Sequence, residues 1–146
     1  MLKKYLLALA VSAIIPLTAH ANEAQVRCLA QNAYHEAGSQ GTSGMEAVTN
    51  VVINRTKDKR FPSTPCAVIK QRYKKSCQFS WVCTNKQIKN KALYDKAVVV
   101  VRRVYYNMTI DNTNGALYFH ERHAKPSWAS RFRLTMKIGD HKFYRG

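Results

Sequence analysis

From Glu23 onward, apolar residues recur at Val26, Leu29, Ala30, Ala33, Tyr34 and Ala37. Steps of three and four predict a helix with one buried stripe, and Gly38 supplies its stop. Ser43 with Glu46 three residues later has the form of a capping box. It predicts a second helix from about Gly44 to Arg55, with Ala47, Val48, Val51 and Val52 turned inward. The β-branched content of that segment disfavours an isolated helix, so tertiary burial must hold it. Pro62 and Pro65 frame a turn, Cys66 to Tyr73 reads as a short helix, and residues 74–88 carry no period. The longest helix is expected from Lys89 to about Met108, burying Leu93, Ala97, Val100, Val101, Val104 and Tyr105. Taken alone, Val98 to Val101 would also suit a buried strand.

After Asp111-Asn112-Thr113-Asn114-Gly115 the pattern changes from helical to alternating. Ala116 to His120 reads as a strand, and Leu134–Ile138 with His141–Arg145 as a hairpin around Gly139-Asp140. Helices first and strands last predict an α+β domain, with N-terminal helices and a small C-terminal antiparallel sheet. No repeat, linker or low-complexity tract divides it.

The first residues follow a different pattern. Lys3-Lys4 precede an apolar run from Tyr5 to Leu17, and Ala19-His20-Ala21 fits a small-x-small cleavage site. We read residues 1–21 as a signal peptide and 22–146 as one mature domain. The apolar run is short for a membrane span, although a retained anchor is the alternative. The expected localisation is therefore exported: periplasm or cell envelope, or secreted. Four cysteines remain, Cys28, Cys66, Cys77 and Cys83. An even number in an exported chain predicts two disulfides, with three pairings open. Cys77 and Cys83 are close enough to staple a short loop. A zinc site from the four lacks any CxxC pair.

Charge narrows the partner without choosing it. The chain carries 24 Lys and Arg against 8 Asp and Glu, and loss of Lys3 and Lys4 takes the formal charge from +16 to +14. An anionic partner is implied: nucleic acid, an acidic membrane surface or an acidic wall polymer. Lys70, Arg72, Lys74, Lys75, Arg102 and Arg103 make a basic surface, but no nucleic-acid motif organises them.

With acids so scarce, each can be weighed. Glu23 is terminal, Glu46 a helix cap, Asp58, Asp95 and Asp111 solvated faces or turns, Glu121 follows a strand, and Asp140 is a hairpin tip. Glu36 alone combines a helix end, apolar neighbours and a Gly-rich loop. The carbonyl end of a helix and partial burial both raise a carboxyl pKa, which suits a general acid. On local sequence alone, a solvated helix-end Glu is the competing reading. Tyr118 and His120 share one strand face; His141, Phe143 and Arg145 share a face of the last strand, opposite Tyr144. Such a polar-aromatic wall suits a sugar or, equally, a half-buried sheet. Gln78, Phe79, Ser80 and Trp81 lie between two cysteines and extend the possible groove. His35, Glu36, His120, His123 and His141 could supply zinc ligands, but no HExxH is present, nor any GxSxG or glycine-rich phosphate loop.

In order along the chain, several blocks resemble the SleB/CwlJ-like cell wall hydrolases, the catalytic domain of spore cortex-lytic enzymes. They are Cys28-Leu-Ala-x-x-x-Tyr34-x-Glu36-Ala37, Gly44-Met-x-Ala47-Val48-x-x-Val51-Val52-x-Asn54-Arg55, Arg60-Phe61-Pro62-x-Thr64-x-Cys66-x-Val68-Ile69, Cys77-Gln-Phe-Ser-Trp81, Gly115-Ala-x-Tyr118-Phe119-His120 and Ile138-Gly139-x-His141-x-Phe143-Tyr144. The resemblance implies a lysozyme-like domain that cuts glycan strands between N-acetylmuramic acid and N-acetylglucosamine, and puts the catalytic Glu on Glu36. Tyr34, Gln78, Phe79, Ser80, Trp81, Tyr118, His120, His141 and Tyr144 are the expected substrate-binding residues. Relatives usually carry Arg-Gly-Glu after the Glu-Ala pair, where this chain has Gly38-Ser39-Gln40-Gly41. No wall-binding domain is expected ahead of the catalytic one, so targeting rests on the groove and the charge.

One carboxyl suffices for lytic transglycosylation, whereas hydrolysis normally uses a second at a set distance. The shortage of second acids favours the first, with Glu46 or Glu121 left as acids that folding can bring near. Muramidase, N-acetylmuramoyl amidase and a non-catalytic wall-binding protein are the alternatives. The expectation includes no cofactor and no metal. The partners are peptidoglycan glycan strands, with room for an envelope protein partner or inhibitor, no specific nucleic acid, and a monomeric state.

Overall fold

Three apolar helix stripes that cannot face water settle the architecture. The computed structural model describes residues 17–146; most of the expected signal peptide, residues 1–16, lies outside them. Helix α1 spans Leu17–Ala37, so it begins before Glu23 and runs unbroken past the expected cleavage point. Its side-chain bonds to the body include Glu23, paired with Arg102 at 2.7 Å, and Asn22, which accepts from the Tyr105 hydroxyl at 3.1 Å. Helix α2 (Gly41–Thr56) and helix α5 (Lys91–Tyr105) pack against α1 and each other. Ala30, Ala33, Ala37, Ala47 and Ala97 are fully buried there, so small side chains let the helices approach closely. Leu29, Met45, Val48, Val51, Val52 and Val101 fill the space between. The Val98–Val101 run is therefore helical, because its buried members belong to a helix stripe. Among the described residues no helix is long and apolar enough to cross a membrane.

The α1–α2 corner differs from the sequence expectation. A single 3-10 turn, Gly38–Gln40, leads straight into α2, which starts at Gly41 rather than near Gly44. Gly41 has φ 69°, a conformation open to glycine at no steric cost. A Cβ on Gly44 would overlap Gln40. With the helix already under way, Ser43 and Glu46 form no capping box, and no side chain caps α2. The Ser43 carbonyl instead accepts from Asn112 Nδ2 at 3.1 Å.

Helix α3 (Pro65–Ile69) is shorter than Cys66–Tyr73. Thr64 caps it, and the chain then turns into a two-stranded hairpin, β1 (Arg72–Tyr73) with β2 (Ser76–Cys77). Helix α4 (Ser80–Cys83) follows within the stretch that carried no period. The disulfides are Cys28–Cys66, tying α1 to α3, and Cys77–Cys83, closing the short loop. Asn90 caps α5 by accepting from the Leu93 amide at 3.0 Å, which sets its start at Lys91.

Strands β3 (Tyr118–Glu121), β4 (Arg133–Ile138) and β5 (His141–Arg145) form an antiparallel sheet in the order β3-β5-β4. The register pairs Tyr118 with Tyr144 and Glu121 with His141. Strand β3 starts two residues later than expected because α2 takes the preceding carbonyls. Asn54 Nδ2 donates to the Ala116 carbonyl at 3.1 Å, and Arg55 Nε to that of Leu117 at 2.7 Å. Asn54 also donates to Asp111 Oδ2 at 2.9 Å, and Asp111 accepts from the Thr113 and Gly115 amides. Asp111 is thus a turn residue tethered to α2, and this polar seam holds the sheet against the helices.

Candidate active site

Glu36 occupies the penultimate position of α1, half-buried where the helices meet the sheet. Two hollows adjoin it, and its side chain lines both. The larger, about 510 Å³, runs between the α1–α2 corner, the segment before α5 and the β4–β5 turn; Tyr34, Lys86, Glu121, Asp140 and His141 are among its walls. The smaller, about 300 Å³, is bounded by Arg55, Gln78, Phe79, His120, Glu121 and His141. A ligand laid across both hollows would pass Glu121 and, at their junction, the Glu36 carboxyl.

That carboxyl is pushed up from its ordinary 4.5 to about 7. Burial is the largest cause, the neighbouring Glu121 carboxylate adds to it, and the Lys86 ammonium opposes it. Near neutral pH a large fraction of Glu36 therefore still holds its proton. Glu121 enters the site because β3 pairs with β5 in a register that sets it opposite His141. His141 is 4% exposed, and burial holds its imidazole below the ordinary histidine range. Its Nδ1 is buried without a hydrogen-bond partner.

The α1–α2 corner and the β4–β5 turn close one side of the larger hollow together. Gln40 Oε1 accepts from the Asp140 amide at 2.8 Å, and Gln40 Nε2 donates to Asp140 Oδ2 at 3.4 Å. Gly38, Ser39 and Gln40 thus form part of a wall of the cleft.

The expected substrate-binding residues divide. Tyr34 lines the larger hollow, its hydroxyl oxygen accepting from the amides of Lys89 and Asn90 at 3.1 Å each. Gln78, Phe79 and His120 line the smaller, and His141 lines both. Phe79 is mostly core, 4% exposed and packed on Phe119. Ser80 lies exposed at the start of α4 and lines neither hollow. Trp81 also lines neither: it stacks on His35 at 4.8 Å, and its Nε1 donates to the buried Asn32 at 3.0 Å. Tyr118 and Tyr144 stand apart from both hollows, in an aromatic cluster with Trp128. The single polar-aromatic wall expected from the strands is split, because alternation sends Phe119, His141 and Phe143 to one face of the sheet and Tyr118, His120 and Tyr144 to the other. His120 is held by a 2.9 Å hydrogen bond between its Nε2 and the Tyr144 hydroxyl, and the edge position of β3 lets it border the smaller hollow as well.

Arg55, Lys86 and Gln40 were not singled out from the sequence. Their only signal was position: Arg55 falls near the end of α2 on its buried face, and Gln40 stands in the loop after α1. Glu46 lines neither hollow, whereas Glu121 lines both.

Known proteins resemble this chain in its fold and over most of its length. A family model described as Cell Wall Hydrolase matches residues 39–144, a span that begins just after Glu36. The catalytic domain of the germination-specific lytic transglycosylase SleB from Bacillus anthracis is 25% identical, with a TM-score of 0.67 over 92% of this chain and 100% of that one. The catalytic domain of the Bacillus cereus SleB protein is 24% identical, with a TM-score of 0.70 over 92% of this chain and 98% of that one. No curated protein matches.

Proposed function

This chain belongs to the cell wall hydrolase family, and from that premise we propose that it is a peptidoglycan lytic transglycosylase in which Glu36 acts first as acid and then as base. The observation that carries the reading is the carboxyl with a pKa of about 7 at the junction of two hollows. A lysozyme-like α+β fold and the likeness to a solved lytic transglycosylase domain support it.

In the proposed reaction neutral Glu36 gives its proton to the oxygen that joins C1 of N-acetylmuramic acid to C4 of N-acetylglucosamine. The C1–O bond breaks, and the leaving sugar departs with a 4-hydroxyl. The Glu36 carboxylate then takes the proton of the muramic C6 hydroxyl, whose oxygen bonds to C1 and closes a 1,6-anhydro ring. No water is consumed and Glu36 ends protonated, ready for another cycle. A pKa near the working pH suits both halves, since the same group must give and accept a proton. Tyr34, Gln78, His120 and His141 are the proposed sugar contacts, with Phe79 behind them. Trp81 acts through His35, and Tyr144 through His120.

The location of Glu121 favours one second reading. It lines both hollows with Glu36 and raises its pKa, so it is a candidate second carboxylate for muramidase-type hydrolysis. Mass spectrometry of digested peptidoglycan separates the two. Anhydromuramyl ends are expected, reducing muramic ends would replace the reading with hydrolysis, and released stem peptides would replace both with an amidase. The two disulfides are consistent with export. We further propose that residues 1–21 are removed on export and that the 22–146 domain works on the cell envelope. Amino-terminal sequencing of envelope-derived protein should start at Asn22.

A further inference from the structure

Arg55 is a charged side chain with no charged partner among the described residues. It ends the inward face of α2, is 2% exposed, and among the described residues forms no salt bridge. Its Nε donates to the Leu117 carbonyl at 2.7 Å. The guanidinium carbon lies 5.2 Å from the ring centre of Phe61 and 5.7 Å from those of Phe79 and Tyr118. Ring faces offset part of the cost of burying the cation, but they accept no strong hydrogen bond. Nη1 is buried without a partner, and burial pulls the group down to about 10. Neither Glu36 nor Glu121 forms a salt bridge with it, although both border the same hollow. A buried guanidinium is ordinarily paired with a carboxylate or phosphate that accepts two of its N–H groups. Here the opening left to it is the smaller hollow, which it lines beside Gln78 and Phe79.

We propose that Arg55 binds a carboxylate of the substrate, a free acid of the peptide carried by the muramic residue, with Gln78 beside it as a second polar contact. This rests on the peptidoglycan reading above and adds to it: the enzyme reads peptide-substituted strands through the smaller hollow while Glu36 cuts at its rim. Binding would then supply the anion that the folded chain lacks.

The test measures binding calorimetrically to the Glu36→Gln chain, which cannot cut. The probes are uncross-linked disaccharide-peptide fragments with free carboxylates and the same fragments with those carboxylates amidated. The free acids are expected to bind at least tenfold more tightly, and Arg55→Lys in the same background to remove most of that preference. Equal binding of the two probes, or none, while the wild-type chain still cuts whole peptidoglycan, overturns the Arg55 assignment alone. A tenfold preference that survives Arg55→Lys also overturns it. If the wild-type chain leaves peptidoglycan glycan strands intact, the functional reading falls instead. The two-probe comparison needs no Arg55 variant, so it stands even where Arg55→Lys does not fold.

Discussion

Glu36→Gln should make the protein more stable at alkaline pH and leave it nearly unchanged at acid pH. The reason lies in the difference between its folded and unfolded ionisation. Folding raises the carboxyl from 4.5 to about 7, so the native state prefers the protonated form. Well below pH 4.5 both states are protonated and Glu36 imposes no ionisation penalty, and at pH 4 the penalty is still small. As pH rises through 4.5 the unfolded chain ionises first, and stability drains away until about pH 7, where the folded carboxyl ionises too. Each pKa unit corresponds to about 1.4 kcal/mol, so the full penalty above pH 7 is about 3 kcal/mol. Gln has nearly the same shape and no charge, and among the described residues Glu36 makes no side-chain hydrogen bond for it to lose. Urea denaturation of oxidised wild type and variant at pH 4 and pH 8.5 measures the difference. With an m-value of about 2 kcal/mol/M, the variant midpoint should lie about 1.5 M higher at pH 8.5 and close to wild type at pH 4. Comparing the two differences cancels the other carboxylates, including Asp58, which Arg60 holds at about 2. A midpoint difference independent of pH would falsify the raised pKa, and with it the physical basis for Glu36 as the acid. The same variant should lose wall cutting while keeping its near-ultraviolet circular dichroism.

Other outcomes follow from the same geometry. The rate of wall cutting should fall as pH rises above about 7, approaching tenfold per pH unit, because the first step needs protonated Glu36; a rate flat to pH 9 at saturating substrate would count against it. Glu121→Gln removes a like charge from Glu36, so the alkaline limb should move to lower pH while anhydromuramyl products persist; loss of cutting with correct folding would favour the two-carboxylate hydrolysis. Replacing Cys28 and Cys66 together by Ser should destabilise the fold by about 4 kcal/mol on loop-closure grounds, given their separation of 38 residues. Loss of Cys77–Cys83, which spans 6, should cost about 2 kcal/mol; equal melting shifts would contradict that order. Raising salt from 50 to 300 mM should weaken adsorption to purified walls, as expected where a large positive charge drives encounter.

Periodicity was most informative where one helix stripe meets one core. Val26, Leu29, Ala30 and Ala33 on α1, with Val48, Val51 and Val52 on α2, are buried as their spacing implied. Arg133–Ile138 and His141–Arg145 form the hairpin that Gly139-Asp140 signalled. What local pattern could not carry was ownership of polar groups across long separations. Ser43 and Glu46 have the spelling of a cap, but the Gly38–Gln40 turn started α2 earlier and left them inside it. Ala116 and Leu117 alternate like strand residues, yet Asn54 and Arg55 claim their carbonyls and delay β3.

The same limit applied to the site. Near Glu36 in sequence, only a helix end and a few apolar neighbours argue for a raised pKa. In the fold, burial raises its pKa, and β3 brings in Glu121, which the sequence left, with Glu46, as an acid that folding could bring near. The sheet is placed in turn by Asn54, Arg55 and Asp111, none of which touches Glu36 through a hydrogen bond. If that seam sets the Glu121 position, Asn54→Ala should lower the Glu36 pKa as well as the melting temperature. A variant that melts earlier but keeps the wild-type alkaline limb would show that the seam supports the fold without tuning the acid.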